Sequence, residues 1–491
     1  MIQTSAIFLF LNYCLGKKVD MSMVVAKIDW RQLYTFASRQ ALLGFCFDGI
    51  ERLTKEFSEE LKQNPMGRDL LMTWMGAAQQ IRRQNMKVNA VAGKLYSKFR
   101  EDGLRCCILK GQGNALMYPN PYSRTPGDID IWVNASREDI TEYAKTHFEI
   151  GDDIRFHHLE TSFDGVPVEL HFFPGIMNNP IYNARLQKWF KRNADLQCSN
   201  VVSLPDGIGE IAIPTTAFNV VYQLTHLYHH FFDEGIGMRQ IIDYLLVVCD
   251  FYKVYQNSSK ITPSLFFDKA SCTRQFESEL SLHSLASLFP LKEGSTSHPD
   301  PLSMVFTPPS VPPFPGDRNL RGEGGNRPTR CSEPLRSKDG GPSKVSPNCA
   351  GWDRRDAIED TSSASGSSAS DSSTASTALV VVQRELKYLG LWKFAGAVMF
   401  VLHEVLGLSE EKMIAPMDEK RGKLLLAEIL DGGNFGRHFT KYAGFTHQSM
   451  GKKYFLKIWR NMHFVRFYPA EALSEPIFRT WHFFWRMKNK K

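Results

Sequence analysis

Residues from about Lys260 to Ala378 constrain this chain more than any other stretch. They include PPSVPPFPG, RGEGGNRP and TSSASGSSASDSSTASTA, and so many Pro, Gly and Ser residues offer too little apolar surface to offset the entropy of ordering them. A disordered insertion is expected over 260–378, so the folded mass must be assembled from the sequence on either side. That sequence is ample: the chain has 491 residues, 43% hydrophobic and 23% charged, the balance of ordinary globular proteins and more than one domain in length.

The flanks change their hydrophobic period. Between Trp30 and Arg100 the spacing is helical, with Leu42, Leu43, Phe45, Phe47, Ile50 and Leu53 followed by a longer run from Leu70 to Phe99. From Arg105 onward CCIL, DIDIWV and VPVELHFF are short apolar or β-branched segments separated by Gly, Pro and Asn, the pattern of strands. Ser136-Arg137-Glu138-Asp139 opens a helix expected to run to about Thr146. Asp164-Gly165, between Arg155–Phe163 and Val166–Phe172, is the dipeptide of a two-residue hairpin turn. Helical spacing returns over Thr215–Tyr252 and Val381–Leu408.

The resulting expectation is an α+β fold with a small mixed sheet, flanking helices and a helical C-terminal domain. Its parts are an N-terminal extension (1–27), a helical lead-in (28–100), a core (101–184), a helical domain split into 185–259 and 379–450 by the insertion, and a basic aromatic segment (451–491). Ser5–Gly16 is apolar but too short to span a bilayer, and no Lys or Arg precedes it. Nine cysteines occur without a C-x-x-C pair, which argues against a zinc or disulfide framework and fits the reducing cytoplasm. The formal charge of +7 gathers at the end, where Gly451–Lys491 holds ten Lys/Arg against two Glu among Trp459, Phe464, Phe467, Tyr468, Trp481, Phe484 and Trp485. Two readings compete there: aromatic residues buried under solvated bases, or a patch for nucleic acid or another acidic surface.

Chemistry concentrates in Ile108–Val133, ILKGQGNALMYPNPYSRTPGDIDIWV. In a strand, positions i and i+2 share a face, so Asp128 and Asp130 point together while Ile129, Ile131 and Val133 point into the core. Paired carboxylates repel unless a cation lies between them, and Mg²⁺, completed by substrate phosphates, is the natural one. Glu169 in the neighbouring hairpin supplies a third carboxylate. With Asp164-Gly165 as the loop, Phe163 pairs with Val166, Glu160 with Glu169 and His158 with His171, making one face of the hairpin unusually polar. Gly111 lets the backbone approach a phosphate, Gln112 belongs to the same turn, and Lys110 and Arg124 are candidates to hold phosphate oxygens. A second polar cluster, His226, His229, His230, Arg239 and Asp243, reads as a helix face lining the substrate cleft, with Arg239 approaching nucleotide or acceptor.

The order L-K-G, R-x-x-G-D-I-D-I-W-V and V-E-L-H resembles the uncharacterised bacterial nucleotidyltransferase family of the DNA polymerase β-like superfamily, whose signature is a glycine turn, D-x-D and a third acidic residue. Two departures stand out: Gly111-Gln112 replaces the usual Gly-Ser or Gly-Gly, and the run from Gln112 to Asp128 is slightly long. The resemblance implies a nucleotidyltransferase core in which Asp128, Asp130 and Glu169 bind metal, and Glu169 helps activate the acceptor. Lys110, Gly111, Gln112 and Arg124 would then bind nucleotide. The expected reaction moves a nucleoside monophosphate from an NTP, with ATP the expected donor, to a small molecule, protein or RNA, releasing pyrophosphate. The alternative is an inactive nucleotide- or RNA-binding module.

Overall fold

The computed structural model describes residues 2–256, 371–439 and 450–489. The disordered stretch expected over 260–378 lies outside the described residues except at its end, where a helix over Asp371–Tyr388 begins eight residues before the expected boundary at 379. Ala378, Val382 and Leu386, four residues apart, are buried along one side of it. Alanine carries no helix penalty, so a low-complexity segment ending in alanine extends an amphipathic helix at little cost.

The sheet is mixed, as the α+β expectation requires. Its strands are β1 (Cys106–Ile108), β2 (Ile129–Val133), β3 (Ile150–Ile154), β4 (His158–Phe163) and β5 (Val166–His171), in spatial order β1-β2-β5-β4-β3. β2 and β5 run parallel and the other neighbours antiparallel. Between β2 and β3 the helix Arg137–His147 starts where Ser136 accepts a hydrogen bond from the Asp139 N–H. Asp164 and Gly165 both have positive φ, 47° and 69°, the conformation of a type I′ hairpin turn. That turn sets the expected register: Phe163 opposite Val166, Glu160 opposite Glu169, His158 opposite His171. A separate ribbon, β6 (Val201–Ser203) with β7 (Glu210–Ala212), lies further along the chain.

Alternation gives the sheet two unlike faces. Ile108, Ile129, Ile131, Val133, Val168 and Leu170 pack with Val88, Ala92, Leu95 and Phe99 of the long helix Arg68–Glu101 in one apolar core. Cys107, Leu109 and Trp132 face the opposite way into a larger core built by the helical parts. There Trp132 stacks on Phe218 with ring centroids 6.2 Å apart, and Phe218 stacks on Trp189 at 4.4 Å.

The N-terminal segment departs from its expected character as an extension. Residues Ile2–Cys14 form a helix whose Phe10, Leu11 and Tyr13 are buried, and Asn12 Nδ2 donates to the Val405 carbonyl across the insertion at 2.8 Å. Its apolar side chains complete the larger core. The C-terminal helices, Met450–Met462 and Pro469–Asn489, follow neither simple reading. Phe464 and Tyr468 are buried, whereas Trp459, Trp481 and Phe484 are exposed. The terminal helix reaches the sheet edge through Trp481, whose ring centroid is 5.1 Å from that of Phe156. Among the described residues, no helix is long and apolar enough to cross a membrane.

Candidate active site

The parallel pairing of β2 and β5 places Asp130 directly beside Glu169. Asp128 lies two residues earlier on the Asp130 side of its strand and opens onto the same cleft as Glu169. The three carboxylates predicted from the sequence therefore share one wall.

Asp130 is the buried member of the group. Its Oδ1 accepts from Lys110 Nζ at 2.7 Å and lies 3.0 Å from His171 Nε2, which is also 3.2 Å from Glu169 Oε2. Burial opposes charge on all four groups, but the pairings prevail. Lys110 and His171 hold the Asp130 carboxyl well below the usual carboxylate range. His171 holds Glu169 down as well, and the two carboxylates raise the imidazole to about 9. Lys110 is raised by the charges of Asp130, Glu169 and Asp128. Asp128 has the opposite fate: the negative charge of Asp130, then burial, pushes its carboxyl up to about 6. Two adjacent aspartates thus differ because one has taken the nearby cations and the other feels mainly its neighbour's charge.

Lys110 lies two residues beyond the end of β1 and is followed by Gly111, whose φ of 50° and ψ of −104° only glycine adopts readily. This bend carries the chain over Asp128, whose carbonyl would be 3.7 Å from a Cβ at Gly111. The Gln112 side chain turns away from the cleft and is buried in a hydrogen bond to Asn89 Oδ1. Arg124 is also committed inward. Its Nε and Nη2 grip Asp243 at 2.9 and 2.8 Å, and Tyr118 donates to the same carboxylate at 2.7 Å. The guanidinium expected to hold phosphate forms half of a buried ion pair joining the 121–127 loop to the helix Met238–Gln256, and it borders a small pocket together with Asp128 and Asp130.

The cation beside the site that sequence order did not rank first is Arg239. It is buried, donates through Nη1 to the Thr125 carbonyl at 2.9 Å, and has no hydrogen-bond partner at Nε among the described residues. Arg239 and Asp128 both line a small pocket of about 50 Å³ behind the acidic wall. In front lies a cleft of about 570 Å³, bordered by Lys110, Glu169 and His171 and by His226, His229 and His230 from the helix Thr216–Asp233. The helix-face reading of the histidine cluster agrees with this position. Lys110 Nζ lies 3.4 Å from His226 Nε2. Burial lowers His226, His229 and His230, the last to about 3.

Phe435 borders both cavities with its ring 5.6 Å from the Arg239 guanidinium. Its φ of 54° is a strained value for a bulky residue. Phe435 lies beyond the insertion, and no motif in the sequence marked it.

The donor set fits a hard divalent cation in kind. Three carboxylates converge, and their charge has already drawn a buried ammonium and an imidazole onto Asp130 and Glu169. The contacts to Asp130 from Lys110 and His171 both fall on Oδ1.

These features define an α+β protein with an acidic, cation-bordered cleft beside a glycine bend. Comparison with known families narrows the class: residues 26–270 match the model of the uncharacterised nucleotidyltransferase family, and that segment of the chain belongs to it. The match contains β1 to β5 and the helix Thr216–Asp233 that carries His226, His229 and His230. No curated protein matches the chain. A crystal structure of an antigenic nucleotidyltransferase-like protein from Paracoccidioides brasiliensis is similar at 16% identity, covering 40% of this chain and 91% of that one with a TM-score of 0.23. That likeness is too slight to bear on mechanism.

Proposed function

We propose that the cleft transfers a nucleoside monophosphate from an NTP, with ATP the expected donor, to an acceptor hydroxyl, releasing pyrophosphate. Asp128, Asp130 and Glu169 would hold Mg²⁺. The observation that carries this reading is the β2–β5 register, which sets Asp130 beside Glu169 on the wall shared with Asp128.

Each nearby residue then has a definable task. Lys110, now paired with Asp130, is within reach of an incoming phosphate and balances the acidic wall before substrate arrives. The Gly111 bend allows backbone and phosphate to approach closely. Glu169, kept ionised by His171, accepts a hydrogen bond from the attacking hydroxyl and orients it in line with the α-phosphorus. Arg239 offers charge to the phosphates from the small pocket. Arg124 acts indirectly, through the Asp243 pair that fixes the loop before β2. When bound, Mg²⁺ supplies charge stabilisation to the attacking and leaving oxygens.

Incubating the full chain with α-labelled NTPs, Mg²⁺ and pooled acceptors tests the proposal. Labelled adduct and pyrophosphate are expected with wild type and lost in Asp128→Ala with Asp130→Ala. Nucleotide bound at saturation and recovered intact would instead establish a binding module.

A further inference from the structure

Beside the carboxylates the cleft holds two histidines, His158 and His171, to which the proposed transfer assigns no metal. We infer that His158 and His171, together with Glu169, form a metal site for a borderline divalent transition ion, with zinc its natural probe, that adjoins the aspartates and shares Glu169 with them.

The backbone builds the group directly. His158 and His171 are cross-strand partners on β4 and β5, and Glu169 precedes His171 by two residues on the same face. One donor atom from each of the three lies within 4.8 Å of the others. Two of the spacings are more telling. His158 Nδ1 to Glu169 Oε2 is 3.3 Å, and His171 Nε2 to the same oxygen is 3.2 Å. A tetrahedral zinc ion with bonds of about 2.0 Å requires ligand atoms roughly 3.3 Å apart. An octahedral magnesium ion with bonds of about 2.1 Å calls for roughly 3.0 Å.

The hydrogen bonding points to a missing ligand independently of those distances. His158 is 2% exposed, yet neither ring nitrogen has a hydrogen-bond partner among the described residues. A buried polar nitrogen without a partner is costly, a cost that a bound ion would offset. His171 is oriented in the usual way of a metal-binding imidazole: Nδ1 faces the Phe173 carbonyl at 3.2 Å, leaving Nε2 toward the carboxylates of Asp130 at 3.0 Å and Glu169 at 3.2 Å. Behind them, His157 Nδ1 is buried without a hydrogen-bond partner, and its ring centroid is 4.3 Å from that of His158. Two imidazoles and one carboxylate favour zinc, iron or manganese over magnesium, which prefers oxygen alone. The open side faces the 570 Å³ cleft, so water or a substrate oxygen can complete the coordination.

The test does not depend on transferase activity. Full-length protein stripped of metal is equilibrated with zinc in excess Mg²⁺, dialysed, and its metal content measured. One zinc per chain is expected in the wild type and in Asp128→Ala, with affinity at least tenfold lower in His158→Ala and in His171→Gln. Zinc should raise the wild-type melting temperature but not that of a folded His158→Asn variant. No stoichiometric zinc in the wild type, or zinc retained equally by the folded His158 variants, overturns the inference.

Discussion

The two faces of the central sheet follow the same alternation but are stabilised in different ways. Toward the helix Arg68–Glu101, Ile129, Ile131, Val168 and Leu170 are buried in one apolar cluster, stabilised by close packing. One residue along, Asp130, Glu169 and His171 point the other way and are balanced by ion pairs to one another and to Lys110. The first arrangement lowers the energy of the fold. The second keeps like charges together at a cost that a cationic ligand would relieve, as expected where function overrides stability. Substitutions on neighbouring residues should therefore have opposite consequences.

The largest effect expected is on turnover. Asp128→Ala with Asp130→Ala should reduce labelled-nucleotide transfer by roughly a thousandfold or more, the scale of losing a principal electrostatic contact in the transition state. Asp128→Ala alone, which removes the carboxyl that Asp130 pushes up, should leave the melting temperature little changed or raised, whereas loss of Asp130 strands Lys110 and His171 and lowers it. Next is stability on the apolar face. Leu170→Ala should cost about 2–5 kcal/mol in denaturant unfolding, whereas Glu169→Gln, its immediate neighbour, should cost less because the amide opens no cavity and keeps an oxygen to accept from His171. Equal losses from the two would erase the distinction between the faces.

Arg124→Ala sharpens the contrast from outside the sheet. It leaves Asp243 buried without its bidentate partner and should destabilise the chain by about 3–5 kcal/mol. A direct phosphate ligand would lower nucleotide affinity with little change in unfolding.

Titration separates the histidines that burial lowers from the one that its partners raise. Burial pushes His158 and His230 down to about 3, while an unfolded histidine takes its proton near 6.5. Their folded forms are undisturbed above about pH 6.5, and stability is lost as pH falls from there toward 3, by roughly 1.4 kcal/mol per pH unit for each histidine. His171 has the opposite sign. Raised to about 9, its pairing contributes fully below about pH 6.5 and is lost as pH rises through 9. Urea midpoints measured between pH 4 and 10 should therefore fall on both sides of neutrality.

Local chemistry made much of this architecture legible. Asp164-Gly165 specifies its turn, so the pairing of Glu160 with Glu169 and of His158 with His171 could be read before any coordinates existed. Alternation in DIDIWV likewise placed Ile129 and Ile131 inward. What could not be read depended on distant residues. Arg124 meets Asp243 across 119 positions, and no local pattern distinguishes a phosphate-binding arginine from one committed to a buried carboxylate. The Ile2–Cys14 helix gains its place from apolar neighbours on both sides of the insertion. Phe435 reaches the site only because the chain returns to it after that insertion.

The central claim is that the carboxylates of β2 and β5 assemble a catalytic metal site for nucleotide transfer. A single-turnover assay with α-labelled ATP tests it most directly, comparing Mg²⁺ with chelator for the wild type and Asp128→Asn. Label joined covalently to an acceptor in the Mg²⁺ wild-type reaction alone is the predicted result. Label transferred equally well by Asp128→Asn, or transfer indifferent to chelator, would contradict it.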